Sequence, residues 1–174
     1  LLADYHYAPT ELSYQNLIKE GKKKEKIVVT GNTVIDALHL MLDIIDKNPK
    51  KSSEISEKLD SKLGFCWKSN KFILITGHRR ENFGSGFIDI CTAIKDLAIS
   101  NKDIHFVYPV HLNPNVQEPV LKILNNIDNI WLVNPLEYQE FIYLLRKSYI
   151  VLTDSGGIQE EAPSLGKPVV VMRD

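Results

Sequence analysis

The feature that most constrains this chain is a regular alternation of short apolar runs with amphipathic segments over residues 65–174. The run Phe72–Thr76 is almost wholly apolar, which is typical of a strand buried on both faces. Similar runs follow, with helical periodicity in the intervals, at residues 104–108, 130–133, 150–153 and 169–171. Because strands that alternate with helices are joined by right-handed crossovers, the pattern predicts a doubly wound α/β domain with a parallel sheet.

The region before this alternation is predicted to contain shorter elements. Residues 1–30 predict a strand, a helix and a second strand. An amphipathic helix follows and ends near Asn48, because the next residue is proline. We interpret residues 50–53 as a polar connector and residues 54–63 as a further helix, which ends at a glycine.

Charge and composition exclude several classes of partner. The 174 residues include 21 basic and 22 acidic side chains, so the net charge of −1 gives no reason to expect nucleic acid or an anionic membrane. No apolar run approaches the roughly 20 residues that span a bilayer. The first residues also lack the pattern of a signal peptide. We therefore expect a soluble protein that binds any anion through a local site.

The two cysteines indicate neither a metal site nor a disulfide framework. Cys66 and Cys91 lack the spacing of metal ligands, and Cys91 falls on the apolar face of a predicted helix as a small buried hydrophobe. A chain without a disulfide framework is typical of a reducing compartment, so we expect cytoplasmic localisation.

The most polar loops of the predicted sheet all follow the carboxyl ends of strands. They comprise residues 77–84 after the first strand, 109–115 after the second and 154–157 after the fourth. The connectors at the other edge, such as residues 101–103, are interpreted as plain turns. Ligands of parallel α/β sheets bind beyond the carboxyl ends of the strands, so the sequence predicts a ligand site at this edge.

The turn Ser155-Gly156-Gly157 opens a helix directly after a buried strand. The first amides of a helix lack internal partners and carry the positive end of its dipole, so they can bind a phosphate. The same pattern also suits a tight turn that binds nothing. Glu161, one helical turn later, can accept hydrogen bonds from ribose hydroxyls or can merely favour the helix dipole. Its neighbour Glu160 is expected in solvent.

A cationic group lies in the loop after the first strand of the alternation. His78, Arg79 and Arg80 suit phosphate binding, because arginine offers a bidentate fork and histidine a tunable donor. The alternative is a surface ion pair between one arginine and Glu81, with a packed histidine. His111, in the next polar loop, either fixes that loop through a hydrogen bond or binds a ligand.

The helix predicted over residues 138–147 carries Phe141 on its apolar face, together with Tyr138, Ile142 and Leu145. Simple core packing explains this pattern. The spacing by itself therefore gives Phe141 no role in ligand binding.

Four segments resemble the bacterial non-hydrolysing UDP-N-acetylglucosamine 2-epimerases. The first two are GNTVIDAL at residues 31–38 and TGHRRENFG at residues 76–84. The others are YPVHLNPNV at residues 108–116 and a longer match over residues 152–174, which contains TDSGGIQEEAPSLGKP. Together with matches before residue 31, they reach from end to end of the chain.

The resemblance implies two Rossmann-like domains in the glycosyltransferase-B arrangement, with the active site in the cleft between them. Residues 1–30 then belong to the end of the amino-terminal domain, residues 31–64 connect the two domains, and residues 65–174 form the UDP-binding carboxyl-terminal domain. The family also leads us to expect a homodimer.

The resemblance assigns UDP to the sheet edge that the polar loops mark. By motif, Ser155, Gly156 and Gly157 bind the diphosphate. Glu161 binds the ribose, and the segment around Phe141 borders the uracil.

The resemblance also implies a reaction and an activator. His78 lies against the phosphates near the reacting sugar, whereas Arg79 and His111 contact a second UDP-N-acetylglucosamine that acts as an allosteric activator. The reaction inverts carbon 2 to give UDP-N-acetylmannosamine for cell-surface polysaccharides. It proceeds by elimination and re-addition of UDP, without a metal or redox cofactor.

The family's carboxylates for proton transfer lie in the amino-terminal domain, of which residues 1–30 match only the end, and family members continue past residue 174. We therefore expect this chain alone to bind UDP weakly and not to epimerise. Two alternatives stay open. A hydrolysing relative, which releases UDP and free N-acetylmannosamine, has the same UDP site. An isolated half can also serve as a non-catalytic module that binds nucleotide sugars.

Overall fold

The structure is a computed structural model and describes residues 3–77 and 84–172 of the chain. The chain divides into two compact units, Leu1–Met41 and Leu42–Asp174. The division predicted from the sequence, with limits after residues 30 and 64, stays a prediction.

The first unit contains a two-stranded parallel sheet. Its elements are β1 (His6–Ala8), α1 (Glu11–Lys19), a 3-10 turn (Lys24–Lys26) and β2 (Ile27–Val29), followed by the start of α2 (Thr33–Asp46). The side chain of Thr10 caps α1 by accepting a hydrogen bond of 3.1 Å from the amide of Ser13. The strand, helix and strand predicted for residues 1–30 are confirmed.

The second unit is a five-stranded parallel sheet with helices between its strands. Its elements are α3 (Pro49–Lys62), β3 (Phe72–Thr76), α4 (Ser85–Ser100), β4 (His105–Pro109), α5 (Pro114–Leu124), β5 (Ile130–Val133), α6 (Tyr138–Lys147), β6 (Ile150–Thr153), α7 (Gly156–Ser164) and β7 (Val169–Val171). The strands lie in the order β5-β4-β3-β6-β7, and every pair is parallel. The predicted parallel α/β sheet is therefore confirmed.

The core lies on both faces of this sheet. Ile73 and Ile75 of β3 pack in one apolar cluster with buried residues of α4 and α5, which include Cys91. Successive side chains of a strand point to opposite faces, so Phe72 and Leu74 lie on the other face, where they are also fully buried. Each such side chain contributes about 1.5–3 kcal/mol when it leaves water. Coverage of both faces confirms the doubly wound arrangement.

The polar connector predicted at residues 50–53 is wrong, because these residues lie inside α3. Asn48 accepts a hydrogen bond of 3.1 Å from the amide of Lys51 and so caps α3. Pro49 occupies the first turn, where a missing N–H has no cost. The same two residues that end α2 therefore also begin the next helix.

Candidate functional site

The strand order reverses direction between β3 and β6, and at the carboxyl edge of such a switch point α/β sheets form their binding crevice. From β3 the chain winds outward through β4 to β5, and it then returns to add β6 on the other side of β3. The hydroxyls of Thr76 and Thr153 lie 2.6 Å apart, and the amide of Asp154 donates to the carbonyl of Thr76 over 3.1 Å. These bonds join the ends of β3 and β6 at the point where α/β sheets bind ligands.

The amino terminus of α7 opens at this crevice. Ser155 has an extended backbone, and its amide donates to the hydroxyl of Thr153 over 3.0 Å. Gly156 and Gly157 are both exposed. Apart from its chain neighbours and the backbone of α7, no heavy atom of the described residues lies within 4 Å of a Cβ built on Gly156. The first turn of α7 is therefore accessible to an anion that accepts from its amides.

The carboxylate of Glu161 lies beside the glycine turn. Its Oε1 atom is 3.4 Å from a Cβ built on Gly157, and the Ser155 Oγ atom is 3.9 Å from the same point. Burial raises the pKa of Glu161, and the negative charge of Glu160 raises it further. The structure thus brings Ser155, Gly157 and Glu161 together, and Glu160 is exposed as predicted.

The start of α6 lies near the same carboxylate. Burial raises the pKa of Tyr138, and the charge of Glu161 adds to this effect. Phe141 is half-buried and lies one turn after Tyr138, on the same side of the helix. Tyr138 shares this face through its helical spacing from Ile142 and Leu145, but its side chain is 47% exposed. It occupies the first position of α6, beyond the stripe that Ile142 and Leu145 bury.

Glu140 is a buried residue of α6 that the sequence analysis did not identify. It is 1% exposed and accepts a hydrogen bond of 2.6 Å from the ammonium of Lys62 at the end of α3. It also accepts from the amide of Glu137 over 3.1 Å. A glutamate three residues after a helix cap is a recognisable signal for the second bond. The bond to Lys62 needs the tertiary structure, because the two residues are 78 positions apart.

A second buried polar group at the carboxyl edge was also missed. Tyr108 and Asp154 are each only 1% exposed, and the hydroxyl of Tyr108 donates to the carbonyl of Gly77 over 2.6 Å. Burial raises the pKa of Tyr108 far above its usual range. A tyrosine inside an apolar strand gives no sign of its partner in the sequence, because the partner is the backbone carbonyl of a residue that follows another strand.

His111 lies in the loop after β4, on the other side of β3 from the turn at Ser155. Its side chain is exposed, and its Nδ1 atom accepts a hydrogen bond of 3.1 Å from the amide of Asn113. The structure therefore contains the loop-fixing bond that the sequence left open as one alternative. The other predicted residues of this edge, His78, Arg79 and Arg80, lie outside the described residues.

Within residues 3–77 and 84–172, no group of three or more histidine, cysteine, aspartate or glutamate side chains is arranged to hold a metal ion. The helices in this part of the chain also include none that is long and apolar enough to cross a bilayer.

Comparison with known proteins identifies the family. The family model described as UDP-N-acetylglucosamine 2-epimerase matches residues 1–174, the whole of this chain. The chain belongs to the UDP-N-acetylglucosamine 2-epimerase family. The resemblance stated from the four sequence segments is thereby confirmed at the level of the family.

Similar proteins include epimerases from several bacteria. The UDP-N-acetylglucosamine 2-epimerase of Campylobacter jejuni is 60% identical over 177 residues, which cover 100% of this chain and 45% of that protein. The enzyme of the same name from Escherichia coli K12 is 53% identical over 173 residues, covering 99% of this chain and 45% of that protein. The chain thus spans slightly under half the length of the curated relatives that it matches.

Solved structures of the family share the fold. The crystal structure of UDP-GlcNAc 2-epimerase from Neisseria meningitidis bound to UDP-GlcNAc matches with a TM-score of 0.88 and 48% identity, over 99% of this chain and 45% of that one. The Methanocaldococcus jannaschii enzyme in complex with UDP-GlcNAc and UDP matches with a TM-score of 0.79 and 30% identity, over 99% and 46%. These matches confirm the predicted fold class, a Rossmann-like half of a glycosyltransferase-B-like fold.

Proposed function

We propose that this chain is the UDP-binding half of an enzyme that converts UDP-N-acetylglucosamine to UDP-N-acetylmannosamine by inversion at carbon 2. The observation that carries the proposal is the open amino terminus of α7 at the crevice between β3 and β6, with Glu161 beside it. Membership of the epimerase family supports the choice of this nucleotide sugar over other phosphorylated ligands.

The diphosphate is assigned to the first turn of α7. The amides of Gly156 and Gly157 supply donors there, since the Ser155 amide already donates to the Thr153 hydroxyl. The positive end of the helix dipole favours a group with negative charge. Because nothing described lies within 4 Å of the Gly156 Cβ position, a phosphate oxygen can approach the backbone closely. A serine hydroxyl at the same turn offers one further donor.

The nucleoside is assigned to the surface next to this turn. Glu161 accepts hydrogen bonds from the two ribose hydroxyls, for which its position 3.4 Å from the Gly157 Cβ point is well placed. Phe141 borders the uracil, since its helix begins near Glu161. A half-buried aromatic ring offers a flat apolar surface to a base.

The proposed chemistry leaves the composition of the nucleotide sugar unchanged. A base removes the proton at carbon 2, and UDP leaves carbon 1 with the electron pair of the C1–O bond, which yields 2-acetamidoglucal. A proton is then delivered to the opposite face of carbon 2, and UDP adds back at carbon 1. The departing UDP gains negative charge, which the amides of α7 and His78 stabilise.

The proposal leaves other parts of the reaction to groups outside these 174 residues. The carboxylates that transfer the proton at carbon 2 belong to the other domain. This chain alone therefore binds UDP weakly and does not epimerise UDP-N-acetylglucosamine. Arg79 and His111 bind a second UDP-N-acetylglucosamine that activates the enzyme. We further propose a cytoplasmic homodimer that uses no metal or redox cofactor and supplies precursors of cell-surface polysaccharides.

Reaction of the complete protein in deuterated water tests the proposed mechanism. Each turnover should place deuterium at carbon 2 of the product, because the proton removed there exchanges with solvent before the intermediate is reprotonated. Proton and carbon NMR spectra of the products show both the label and the configuration at carbon 2.

The same spectra distinguish the two kinds of epimerase. A non-hydrolysing enzyme gives UDP-N-acetylmannosamine, in which the sugar keeps its nucleotide. Accumulation of free N-acetylmannosamine and UDP would instead identify a hydrolysing enzyme. An epimerised product without deuterium at carbon 2 would rule out the elimination.

A further inference from the structure

We propose that Tyr108 is a positioning residue for the reaction, because its hydroxyl fixes the backbone from which the loop after β3 begins. The inference rests on the proposed function, in which His78 acts on the departing UDP. Tyr108 itself lies inside the sheet, where it is 1% exposed.

The contact that carries this inference is a short, buried hydrogen bond. The Tyr108 hydroxyl donates to the carbonyl of Gly77 over 2.6 Å, and Tyr108 is 1% exposed. Gly77 is the first residue after β3 and directly precedes His78 in the sequence. The bond therefore acts on the peptide group that leads into the cationic loop.

The end of β3 is held from both of its neighbouring strands. Tyr108 reaches it from β4, and the hydroxyl of Thr153 reaches Thr76 from β6 over 2.6 Å. The space around Gly77 is also closely filled, since a Cβ built there would lie 3.1 Å from the Tyr108 hydroxyl and 3.8 Å from Oδ2 of Asp154. Two hydrogen bonds and tight packing thus hold the end of β3 and the peptide group of Gly77.

The Tyr108 hydroxyl is a permanent donor. Burial raises the pKa of Tyr108, and the nearby groups of Cys91 and Asp154 raise it further. The phenol consequently keeps its proton throughout the pH range in which an enzyme works. The Gly77 carbonyl can accept a hydrogen bond but cannot donate one, so the direction of the bond is fixed.

Loss of this bond should affect the chemical step more than the binding of UDP. The diphosphate and ribose are assigned to α7, whose amino terminus is supported by β6 rather than by β4. The loop after β3 carries the group proposed to act on the departing UDP. A small displacement of that group lowers the rate of the reaction while leaving the nucleotide site in place.

The experiment compares Tyr108→Phe with the unchanged complete enzyme, using UDP-N-acetylglucosamine as the substrate. We expect kcat to fall about tenfold or more, with KM and the Kd for UDP within about twofold of their original values. Tyr143→Phe is the matched control, since it removes a tyrosine hydroxyl that lies 3.4 Å from Ser52 on the α3 side of the molecule. This control should leave kcat unchanged.

Gly77→Ala provides a second route to the same contact if Tyr108→Phe does not fold. Its methyl group would lie 3.1 Å from the Tyr108 hydroxyl and would push it a few tenths of an ångström from its present position, so kcat should again fall with little change in KM. A folded Tyr108→Phe enzyme with unchanged kcat, even with a lower melting temperature, would overturn the positioning role. Failure of the unchanged enzyme to convert the substrate would instead overturn the proposed function.

Discussion

Gly156→Val should leave the fold intact and lower the affinity for UDP by about 100-fold or more. Each charge-assisted hydrogen bond from an amide contributes about 1.5–3 kcal/mol, and the valine side chain would keep the diphosphate from at least two such amides. Apart from its chain neighbours and the backbone of α7, no described heavy atom lies within 4 Å of the Gly156 Cβ position, so the first carbon of the new side chain has room among the described residues. Valine also has a higher helix propensity than glycine, so the substitution does not weaken α7 for that reason.

Calorimetric titrations with UDP and with uridine separate the contribution of the diphosphate to the affinity from that of the nucleoside. Uridine lacks phosphate, so its affinity should change far less than that of UDP. A thermal melt followed by circular dichroism should show a melting temperature equal to or above that of the unchanged chain. If folded Gly156→Val bound UDP normally, the diphosphate could not lie on the first turn of α7.

Glu161→Ala should weaken UDP binding by about 1–3 kcal/mol, which corresponds to a loss of roughly 5-fold to 150-fold in affinity. The reason is the loss of a charged acceptor for two ribose hydroxyls. Glu160→Ala is the matched control, because it removes the same charge from the adjacent position, where the side chain is exposed. Equal losses in the two variants would indicate a general effect of charge and would contradict the ribose role.

The pH dependence of binding tests Glu161 in a second way. Burial and the charge of Glu160 raise the pKa of Glu161, so this carboxylate gains a proton at a higher pH than an ordinary glutamate. Protonation makes the carboxylate a weaker hydrogen-bond acceptor. The affinity for UDP should therefore fall as the pH is lowered toward this raised pKa. Glu161→Gln lacks the titrating group. Comparison with that variant removes the contribution of UDP's own protonation. Identical pH profiles for the two proteins would exclude a role of the Glu161 carboxylate in UDP binding.

Much of the second unit could be predicted from the sequence, because buried parallel strands leave an unmistakable pattern. Continuous apolar runs such as Phe72–Thr76 and Ile150–Thr153 coincide with the strands, and the residues that directly follow them, Gly77 and Asp154, lie at one edge as expected. The rule that ligands bind at that edge led directly to the turn at Ser155. Local patterns were sufficient here because each element buries its own characteristic face.

Other features depend on contacts between distant residues and could not be read from local patterns. The ion pair between Lys62 and Glu140 joins two helices. The Tyr108 hydroxyl donates to the backbone carbonyl of Gly77, which directly follows another strand. The error at residues 50–53 had a different origin. Asn48 both follows one helix and caps the next, whereas the sequence rule reads an Asn-Pro pair only as a stop.

A crystal structure of this chain with bound UDP tests the central claim most directly. The account predicts the diphosphate within hydrogen-bonding distance of the Gly156 and Gly157 amides and the ribose hydroxyls on the Glu161 carboxylate. Nucleotide density at any other place on the sheet, or a diphosphate with no contact to α7, would contradict it.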